Sequence, residues 1–455
     1  SRSAAFFANG TYSYQGKYNL NGTIRYEGSN MLGRSRSARW LPTWNISGSW
    51  NMHEEKFFDI FRPTLSHFTL KASYSLTADR GPASITNSTT IFSAYNPYRP
   101  FSTDKESGIA LYQTGNDELT YEKKHEWNFG VDAGFLNNRI NVTLDVYRRN
   151  NYDLIGVVNT QGVNRSAMSY GNVASMKSHG EELSISTTNI KNKDFSWTTN
   201  FIYSHAVNEV TELMSRANTM DYISGSGFAM TGYPVRALFS IPFVGLNENG
   251  YPMFINEKGN VTTTEINFQE RDNNSYLKYE GPTDPVYTGS LGNIFTYKGF
   301  RLNIFLTYSF GNVVRLDPVF SYKYNDLSSM TKEFKNRWMM PGDEKITNVP
   351  VILSKREYND NYELHYGYNA YNYSTERVAK GDFIRMKEIS FGYDFPSKWF
   401  KGMALNSLSV KLQGTDLFLI YADKKLNGQD PEFFRAGGVS APMPKQFTLT
   451  VKAGF

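Results

Sequence analysis

The chain has no cysteine, so disulfides and thiolate metal sites are excluded. It also has no run of about 18 apolar residues, which excludes a transmembrane helix. Its 48 Lys and Arg residues nearly balance 43 Asp and Glu residues, and a net charge of +5 gives no reason to expect a nucleic-acid partner. The 455 residues are enough for roughly two to four soluble domains or for one large barrel.

Catalytic motifs are absent as well. The six histidines are scattered, and none has a metal-site spacing such as H-E-x-x-H. No G-x-S-x-G, Walker or G-x-G-x-x-G sequence occurs. Glu181 and Glu182 are adjacent, and adjacent strand residues point to opposite sides, so they cannot converge on one substrate. We therefore predict that the protein is not an enzyme and has no catalytic, cofactor or metal-binding residues.

What the chain has instead is a two-residue alternation, most clearly at its end. Phe447, Leu449, Val451 and Phe455 point to one side of a predicted strand, and small or polar residues lie between them. A strand completed by a terminal aromatic residue is typical of outer-membrane β-barrels, whose last strand closes the barrel. We expect these four residues to form an assembly signal.

The same alternation recurs along the whole chain and predicts roughly thirteen strands. They lie near residues 6–14, 20–26, 41–52, 68–76, 127–135, 140–146, 179–188, 195–203, 287–298, 302–310, 382–395, 408–412 and 447–455. The phase slips at Lys387–Glu388, where we expect a β-bulge. Aromatic residues make up 15% of the chain, with 31 Tyr and 32 Phe, and such abundance suits the aromatic girdles of a membrane barrel.

The predicted connections alternate in length. Short turns are expected at 15–17, 137–139, 191–194 and 298–299, and long loops at about 79–119, 151–178, 210–286, 313–381 and 419–444. Short turns on one rim and long loops on the other are typical of an outer-membrane barrel, with the long loops extracellular. One short loop helix is predicted, capped by Ser328-Ser329, running through Lys332, Phe334 and Trp338 and ended by Pro341-Gly342.

An odd strand count has a consequence. Single-chain bacterial barrels have an even number of strands, and an open sheet edge in lipid costs several kcal/mol for each unpaired backbone group. We therefore expect residues 1–455 to be one part of a larger barrel, in which the first and last strands pair with strands outside this sequence.

Polar residues at alternate strand positions are predicted to face the barrel lumen, because the interior of a large barrel is polar. The candidates are Asp132, Asp145, Arg301, Asn303, Lys411 and Gln413, together with His125. Solvation or contact with a plug is an alternative role for them.

The long loops carry two further candidate sites. The segment YNDNYELHYGYNAYNY (358–373) is rich in aromatic and amide side chains, which suit ligand stacking or packing against a neighbouring subunit. The candidate contacts are Tyr358, Tyr362, Tyr366, Tyr368 and Tyr371. The segment NGQDPE (427–432) gives a weak indication of a Ca²⁺ site, but it lacks the regular spacing of a calcium loop, which favours a turn.

Several segments taken in order resemble the carboxy-terminal barrel of SusC/RagA-type TonB-dependent transporters of Bacteroidetes. They include FFANGTYSYQGKYNLNGTIRYEGS (6–29), LTYEKKHEWNFGVDAGFLNNRINVTLDVYRRNNYDLI (119–155), YTGSLGNIFTYKGFRLNIFLTYSFGN (287–312), NRWMMPGD (336–343) and GDFIRMKEISFGYDFPSKWF (381–400). The resemblance covers almost the whole chain.

This resemblance implies an all-β, antiparallel barrel of about 22 strands with a plugged lumen. It implies an outer-membrane location in a Gram-negative bacterium, a SusD-type surface lipoprotein as partner, and import of a glycan, oligosaccharide or peptide powered through TonB. The plug, the TonB-contacting segment and the first strands would then precede Ser1 or belong to another chain. The alternative is a related barrel with a structural, secretion or surface-assembly role.

Overall fold

The computed structural model of the protein describes residues 2–81, 90–97, 107–113, 115–159, 168–215, 217–319, 331–402, 404–434 and 444–455. The chain divides into two compact units. The first comprises Ser1–Leu183, Val207–Arg216 and Thr231–Tyr233. The second comprises Ser184–Ala206, Ala217–Met230 and Pro234–Phe455.

The chain is built mainly of strands, numbered here in chain order. The first ten are β1 (Ser3–Tyr14), β2 (Tyr18–Ser29), β3 (Trp40–Asn51), β4 (Leu65–Asp79), β5 (Ile91–Tyr95), β6 (Gly108–Gln113), β7 (Glu122–Phe135), β8 (Ile140–Asn159), β9 (Met168–Lys191) and β10 (Phe195–Leu213). The others are β11 (Ala237–Ser240), β12 (Phe243–Leu246), β13 (Pro252–Ile255), β14 (Val261–Thr262), β15 (Lys278–Pro282), β16 (Tyr287–Tyr297), β17 (Phe300–Phe310), β18 (Val313–Arg315), β19 (Val378–Lys380), β20 (Phe383–Asp394), β21 (Ser407–Ala422) and β22 (Gln446–Gly454).

Thirteen of these strands form one sheet in the order β1-β2-β3-β4-β7-β8-β9-β10-β16-β17-β20-β21-β22. Neighbours in this order are also neighbours in sequence, apart from short strands that lie in the connections, so the sheet is a meander. The all-β prediction and the expected number of strands are confirmed. Within the described residues, β1 and β22 are the two end strands of the order.

The helices are short and lie in the connections. The α-helices are α1 (Arg36–Arg39), α2 (Thr219–Ile223), α3 (Lys355–Asp360) and α4 (Leu364–Asn372). The 3-10 helices are Met52–Glu54, Lys56–Ile60, Lys332–Asn336, Asp343–Lys345, Thr375–Arg377, Ser397–Phe400, Lys424–Leu426 and Pro431–Phe433. No helix in the described part of the chain is long and apolar enough to span a membrane.

The predicted loop helix is only partly correct. Its expected caps, Ser328 and Ser329, lie outside the described residues, and Lys332–Asn336 forms a single 3-10 segment. Trp338 does not continue the helix, because its backbone N donates to the carbonyl of Val349 at 2.9 Å and its ring lies against Gly250. Tertiary packing therefore replaces the helix that the local pattern predicted.

Register in the first unit separates apolar from polar side chains. Phe129 lies opposite Ala72 and Val146, whereas its neighbour Gly130 lies opposite Lys71 and Asp145. Directly opposed residues of antiparallel strands share one side of a sheet. The apolar residues therefore form one side of this part of the sheet and the polar residues the other.

The second unit shows the same separation and contains the predicted bulge. Phe305 pairs with Glu388 and Leu306 with Met386, so Lys387 is the extra residue. The bulge allows the apolar residues before and after it to stay on one side although the sequence parity changes. Lys387 Nζ then contacts Asp416 Oδ1 at 2.5 Å, a residue from the matching irregularity of β21.

All four predicted short turns are confirmed. The residues of two of these turns have positive φ, as expected for two-residue hairpin loops. The values are 53° at Gln15 and 70° at Gly16, and 45° at Lys298 and 92° at Gly299. Asn138 also has a positive φ, and the Asn192 side chain accepts hydrogen bonds from the backbone N–H groups of Asp194 and Phe195.

The expected loop at 151–178 was wrong. β8 continues to Asn159 and β9 begins at Met168, so most of this segment is strand. Side chains support the extension, since Glu122 accepts from the backbone N–H of Ile155 at 2.8 Å and Asn172 donates to the carbonyl of Asp153. The segment lacks a clear two-residue alternation, as at Leu154-Ile155 and Val157-Val158, and for that reason its strands were not recognised in the sequence.

The long connection between β10 and β16 has a core of its own. The strand pairs β11–β15 and β12–β13 lie here, and residues Ile223, Leu238, Ile241 and Phe254 are completely buried. The apolar stretch Leu238–Pro252 of the sequence thus builds a folded loop assembly in the second unit.

Replacing Gly299 with Val is expected to destabilise the β16–β17 hairpin. The φ of 92° disfavours a branched residue, and a Cβ would lie 2.8 Å from the carbonyl oxygen of Asp394. We expect a loss of about 1–3 kcal/mol in unfolding free energy, measured by urea titration of the folded protein. Lys298→Asn is the control and should not destabilise, because Asn tolerates positive φ; equal losses in both variants would contradict the turn assignment.

Candidate functional site

The four predicted polar residues of the second unit lie on one side of the sheet. Arg301 and Lys411 are both opposite Gly392, and Asn303 and Gln413 are both opposite Ser390. Gly392 and Ser390 are small residues of β20, which lies between β17 and β21, and the Lys411 side chain lies close to Gly392. This places the predicted residues together, while their exposure to a barrel lumen stays a prediction.

These side chains form a hydrogen-bonding surface. Lys411 Nζ donates to Gln413 Oε1 at 2.7 Å, and Asn303 Nδ2 donates to Glu388 Oε1 at 3.1 Å. The row contains cations, amides and a carboxylate, so it can both donate and accept hydrogen bonds. Such a surface suits a polar ligand or a polypeptide, and it has no arrangement of nucleophile and base.

The polar side of the first unit carries the other two predicted residues. Asp132 forms an ion pair with Lys71, and Asp145 lies over Gly130, where a Cβ would be 2.6 Å from Asp145 Oδ1. A cavity of about 270 Å³ adjoins them. Its lining is dominated by small polar side chains, namely Asn19, Asn21, Ser47, Ser49, Ser73 and Asn128.

The assignment of His125 to the polar side was wrong. His125 lies opposite Leu76 and Asn150 and shares a side with Trp127. Its ring stacks between Tyr74 and Tyr152 at centroid distances of 5.6 and 5.7 Å, and the Tyr74 hydroxyl is 3.0 Å from Nδ1. His125 is two residues before Trp127 and four before Phe129, so strand alternation alone predicts that all three share one side.

A buried arginine holds the loop assembly of the second unit together. Arg315 donates to the Phe239 carbonyl at 2.6 Å, to the Ser374 carbonyl at 2.8 Å and to the Ile223 carbonyl at 3.2 Å. A fourth bond goes to the hydroxyl of Ser240. Burial lowers the pKa of Arg315 to about 9, so the guanidinium is still charged at neutral pH.

Two further buried arginines act in the same region. Arg377 donates to the backbone carbonyl of Asp317 at 2.7 Å and pairs with Glu333. Arg385 binds both carboxylate oxygens of Asp430, at 2.5 and 2.6 Å, and its Nε lies 3.1 Å from Glu432.

The carboxylates considered for Ca²⁺ are therefore ion-paired to Arg385. Pro431–Phe433 is a 3-10 helix whose first turn is capped by the Asp430 side chain, as the turn interpretation expected. In the ranges that the structure describes, no group of three His, Asp or Glu side chains could hold a metal ion.

The five predicted loop tyrosines fall into two groups. Tyr362 and Tyr366 are 59% and 41% exposed, and Tyr358 is half-buried and lies against Tyr362. Tyr368 and Tyr371 are 4% and 1% exposed, so their assignment as surface contacts was wrong. They lie on the inner side of α4, where Tyr368 donates to the carbonyl of Val351 at 2.7 Å and Tyr371 packs on Phe243. Burial raises the pKa of both phenols.

The terminal strand presents its predicted apolar residues. Phe447, Leu449 and Val451 lie opposite Gly414, Leu412 and Val410, and Phe455 follows the end of β22. All four are exposed within this chain. This arrangement is compatible with a signal read during assembly, and that role stays a prediction.

Comparison with known proteins identifies the architecture. The profile of the family "TonB dependent receptor-like, beta-barrel" matches residues 1–316, more than half of the chain. The chain belongs to this family. It is 26% identical to the TonB-dependent receptor SusC of Bacteroides thetaiotaomicron, over 98% of this chain and 43% of that protein. It is 25% identical to TonB-dependent receptor P39 of Formosa agariphila, over 96% of this chain and 44% of that protein.

Solved structures agree with this assignment of the fold. The structure of the RagAB peptide transporter superposes with a TM-score of 0.79 at 21% identity and covers 100% of this chain and 48% of that chain. The chain thus spans less than half the length of the relatives it matches. Its thirteen-stranded sheet is the corresponding portion of a receptor barrel.

The arginine anchors of this receptor barrel were missed in the sequence. Arg315 stands between Val314 and Leu316, and Arg385 between Ile384 and Met386. Flanking apolar residues do not distinguish these arginines, because Arg301 lies between Phe300 and Leu302 and is exposed.

Replacing Arg315 with Met should unfold the loop assembly while the sheet persists. The three carbonyl groups would lose their charged donor, at a cost of more than about 3 kcal/mol. Limited proteolysis of the purified receptor should show faster cleavage within 217–283. Arg236→Met is the control, since Arg236 and Asp284 form an exposed pair; equal cleavage of both variants would contradict the anchor role.

Proposed function

We propose that this chain is the carboxy-terminal barrel portion of an outer-membrane importer. The observation that carries the proposal is the thirteen-stranded sheet of a TonB-dependent receptor-like barrel, with an apolar side suited to lipid and a polar side suited to a solute pathway. The proposed cargo is a glycan, an oligosaccharide or a peptide. A SusD-type lipoprotein would act as the outer partner, and TonB would supply the energy through a plug encoded outside these residues.

The polar side supports a hydrophilic cargo. Asn, Ser and Gln side chains with a few ionic groups match the hydroxyl and amide groups of sugars and peptides. One relative is SusC and one similar structure is a peptide transporter, so both cargo classes are represented among related proteins. Both classes are therefore included in the test.

The test compares a strain lacking the full receptor gene with the same strain carrying it on a plasmid. Growth and uptake are measured with defined oligosaccharides or oligopeptides as the sole source. We expect the complemented strain alone to take up one of these classes, and expect dissipation of the proton gradient to stop that uptake. Unchanged uptake of every tested solute, together with loss of surface proteins, would favour the structural or secretion role instead.

The lipid-facing assignment makes a separate prediction at two adjacent residues of β8. Leu144 lies opposite Val131 on the apolar side, whereas Thr143 lies opposite Asp132 on the polar side. Leu144→Arg should cost about 2–4 kcal/mol if it faces the bilayer. Thr143→Arg should cost less, because it gains a carboxylate neighbour. Urea titration of both receptors in lipid vesicles measures the difference, and a larger loss at Thr143 would reverse the assignment of the two sides.

A further inference from the structure

The apolar side of the first unit carries a group of basic side chains. Among the described residues of β1–β4, β7 and β8, the cross-strand register assigns only three basic or acidic side chains to this side: Lys123, His125 and Arg148. The polar side of the same strands has both signs, including the pairs Lys71–Asp132 and Arg149–Glu126. No carboxylate is among the paired residues of the apolar side, although Asp153, which follows the last paired residue of β8, contacts Lys123.

The three residues lie at one end of neighbouring strands. Lys123 is opposite Tyr152, His125 is opposite Asn150, and Arg148 is opposite Trp127. This end is remote from the tight turn of the β7–β8 hairpin and leads into the long connections. In an outer-membrane barrel the long connections are extracellular, so the group lies at the level of the outer headgroups.

Arg148 is the cation of this group that no carboxylate neutralises. Lys123 Nζ contacts Asp153 Oδ2 at 2.5 Å, and the His125 ring is fixed by its stacking on Tyr74 and Tyr152. Arg148 is exposed and makes no hydrogen bond or ion pair with the described residues. An unpaired guanidinium on a lipid-facing surface is costly unless it reaches water or an anion.

A groove starts next to this group on the same side of the sheet. Residues that lie directly opposite one another on neighbouring strands form rows across the sheet. One row contains Leu20, Gly48, Ala72 and Phe129, and it lies two residues closer to the tight turns than the row that contains Trp127 and Arg148. Gly48 and Ala72 leave a depression between larger residues, with a volume of about 430 Å³. Its other apolar walls are Tyr12, Tyr18, Trp50 and Leu70. The groove is mainly apolar and open to the surface, as an acyl chain requires.

We propose that this surface binds one anionic lipid of the outer leaflet, with a headgroup phosphate at Arg148 and an acyl chain along Gly48 and Ala72. Arg suits phosphate because its planar guanidinium forms paired, charge-assisted hydrogen bonds. Trp127 and His125 border the headgroup, and the unpaired positive charge of Arg148 selects an anion. The proposal depends on the lipid-facing assignment of the proposed function, and it is independent of import.

The experiment uses the full-length receptor purified in a neutral detergent. Phosphatidic acid is added to the micelles, phosphatidylcholine serves as the net-neutral comparison, and bound lipid is counted by native mass spectrometry. We expect tighter binding of phosphatidic acid, and we expect Arg148→Gln to weaken it about tenfold, as for loss of a charge-assisted hydrogen bond. Arg149→Gln is the matched control, because Arg149 is the next residue and points to the opposite side toward Glu126.

A second variant tests the groove without removing a charge. An ideal Cβ at Gly48 meets only the carbonyl oxygen of Asn19 at 3.7 Å, so Gly48→Leu fits the backbone and fills the groove. It should lower lipid retention several-fold while heat-modifiable gel migration still shows a folded barrel. The proposal would be overturned if Arg148→Gln bound the lipid as well as wild type, or if Arg148→Gln and Arg149→Gln lost equal affinity. It would also be overturned if both lipids bound equally well, or if millimolar inorganic phosphate displaced the lipid. Uptake by the same variants reports separately on import.

Discussion

The structure depends on cross-strand register. Inside a sheet the backbone N–H and C=O groups of each strand are paired with those of its neighbours, and in lipid an unpaired group costs several kcal/mol. Because side chains alternate with a period of two, a slip of one residue would exchange the apolar and polar sides. At Lys387 the apolar residues change from even to odd sequence positions, and the bulge, with one extra residue, keeps them on the same side of the sheet. Asp416, from the corresponding irregularity of β21, forms an ion pair with Lys387.

Outside the sheet, charged side chains hold separate segments of the chain together. Loop backbone has few regular partners, so its buried carbonyl groups need donors from side chains. Arg315 alone serves three carbonyl groups from separate segments, and Arg385 joins β20 to the segment around Asp430. A planar guanidinium with five N–H donors suits this task better than an ammonium group. These arginine side chains therefore join loop segments of the second unit that are separate in the sequence.

The sequence predicted the strands and short turns well because each depends on near neighbours. Alternation over five or more residues determines a two-sided strand, and Gln15-Gly16 or Lys298-Gly299 determines a hairpin turn by local backbone preference. The loop assembly was not predictable in this way. Tyr368 and Tyr371 resemble Tyr362 and Tyr366 in the sequence, and only the packing of α4 on Phe243 and Val351 decides which pair is buried. The extended ends of β8 and β9 were missed because side-chain bonds from Glu122 and Asn172 replace the hydrophobic pattern there.

His125 shows why strand register is more informative about the side of a sheet than residue type. A histidine is polar, and polarity suggested the polar side, yet its position two residues before Trp127 fixes its side by geometry. The aromatic neighbours of His125 then have a physical role, because Tyr74 and Tyr152 cover its ring and the Tyr74 hydroxyl lies 3.0 Å from Nδ1. Once the sides are assigned by register, a polar residue on the apolar side needs an explanation of its own. The same residue on the polar side would need none, since solvated polar groups are the default there.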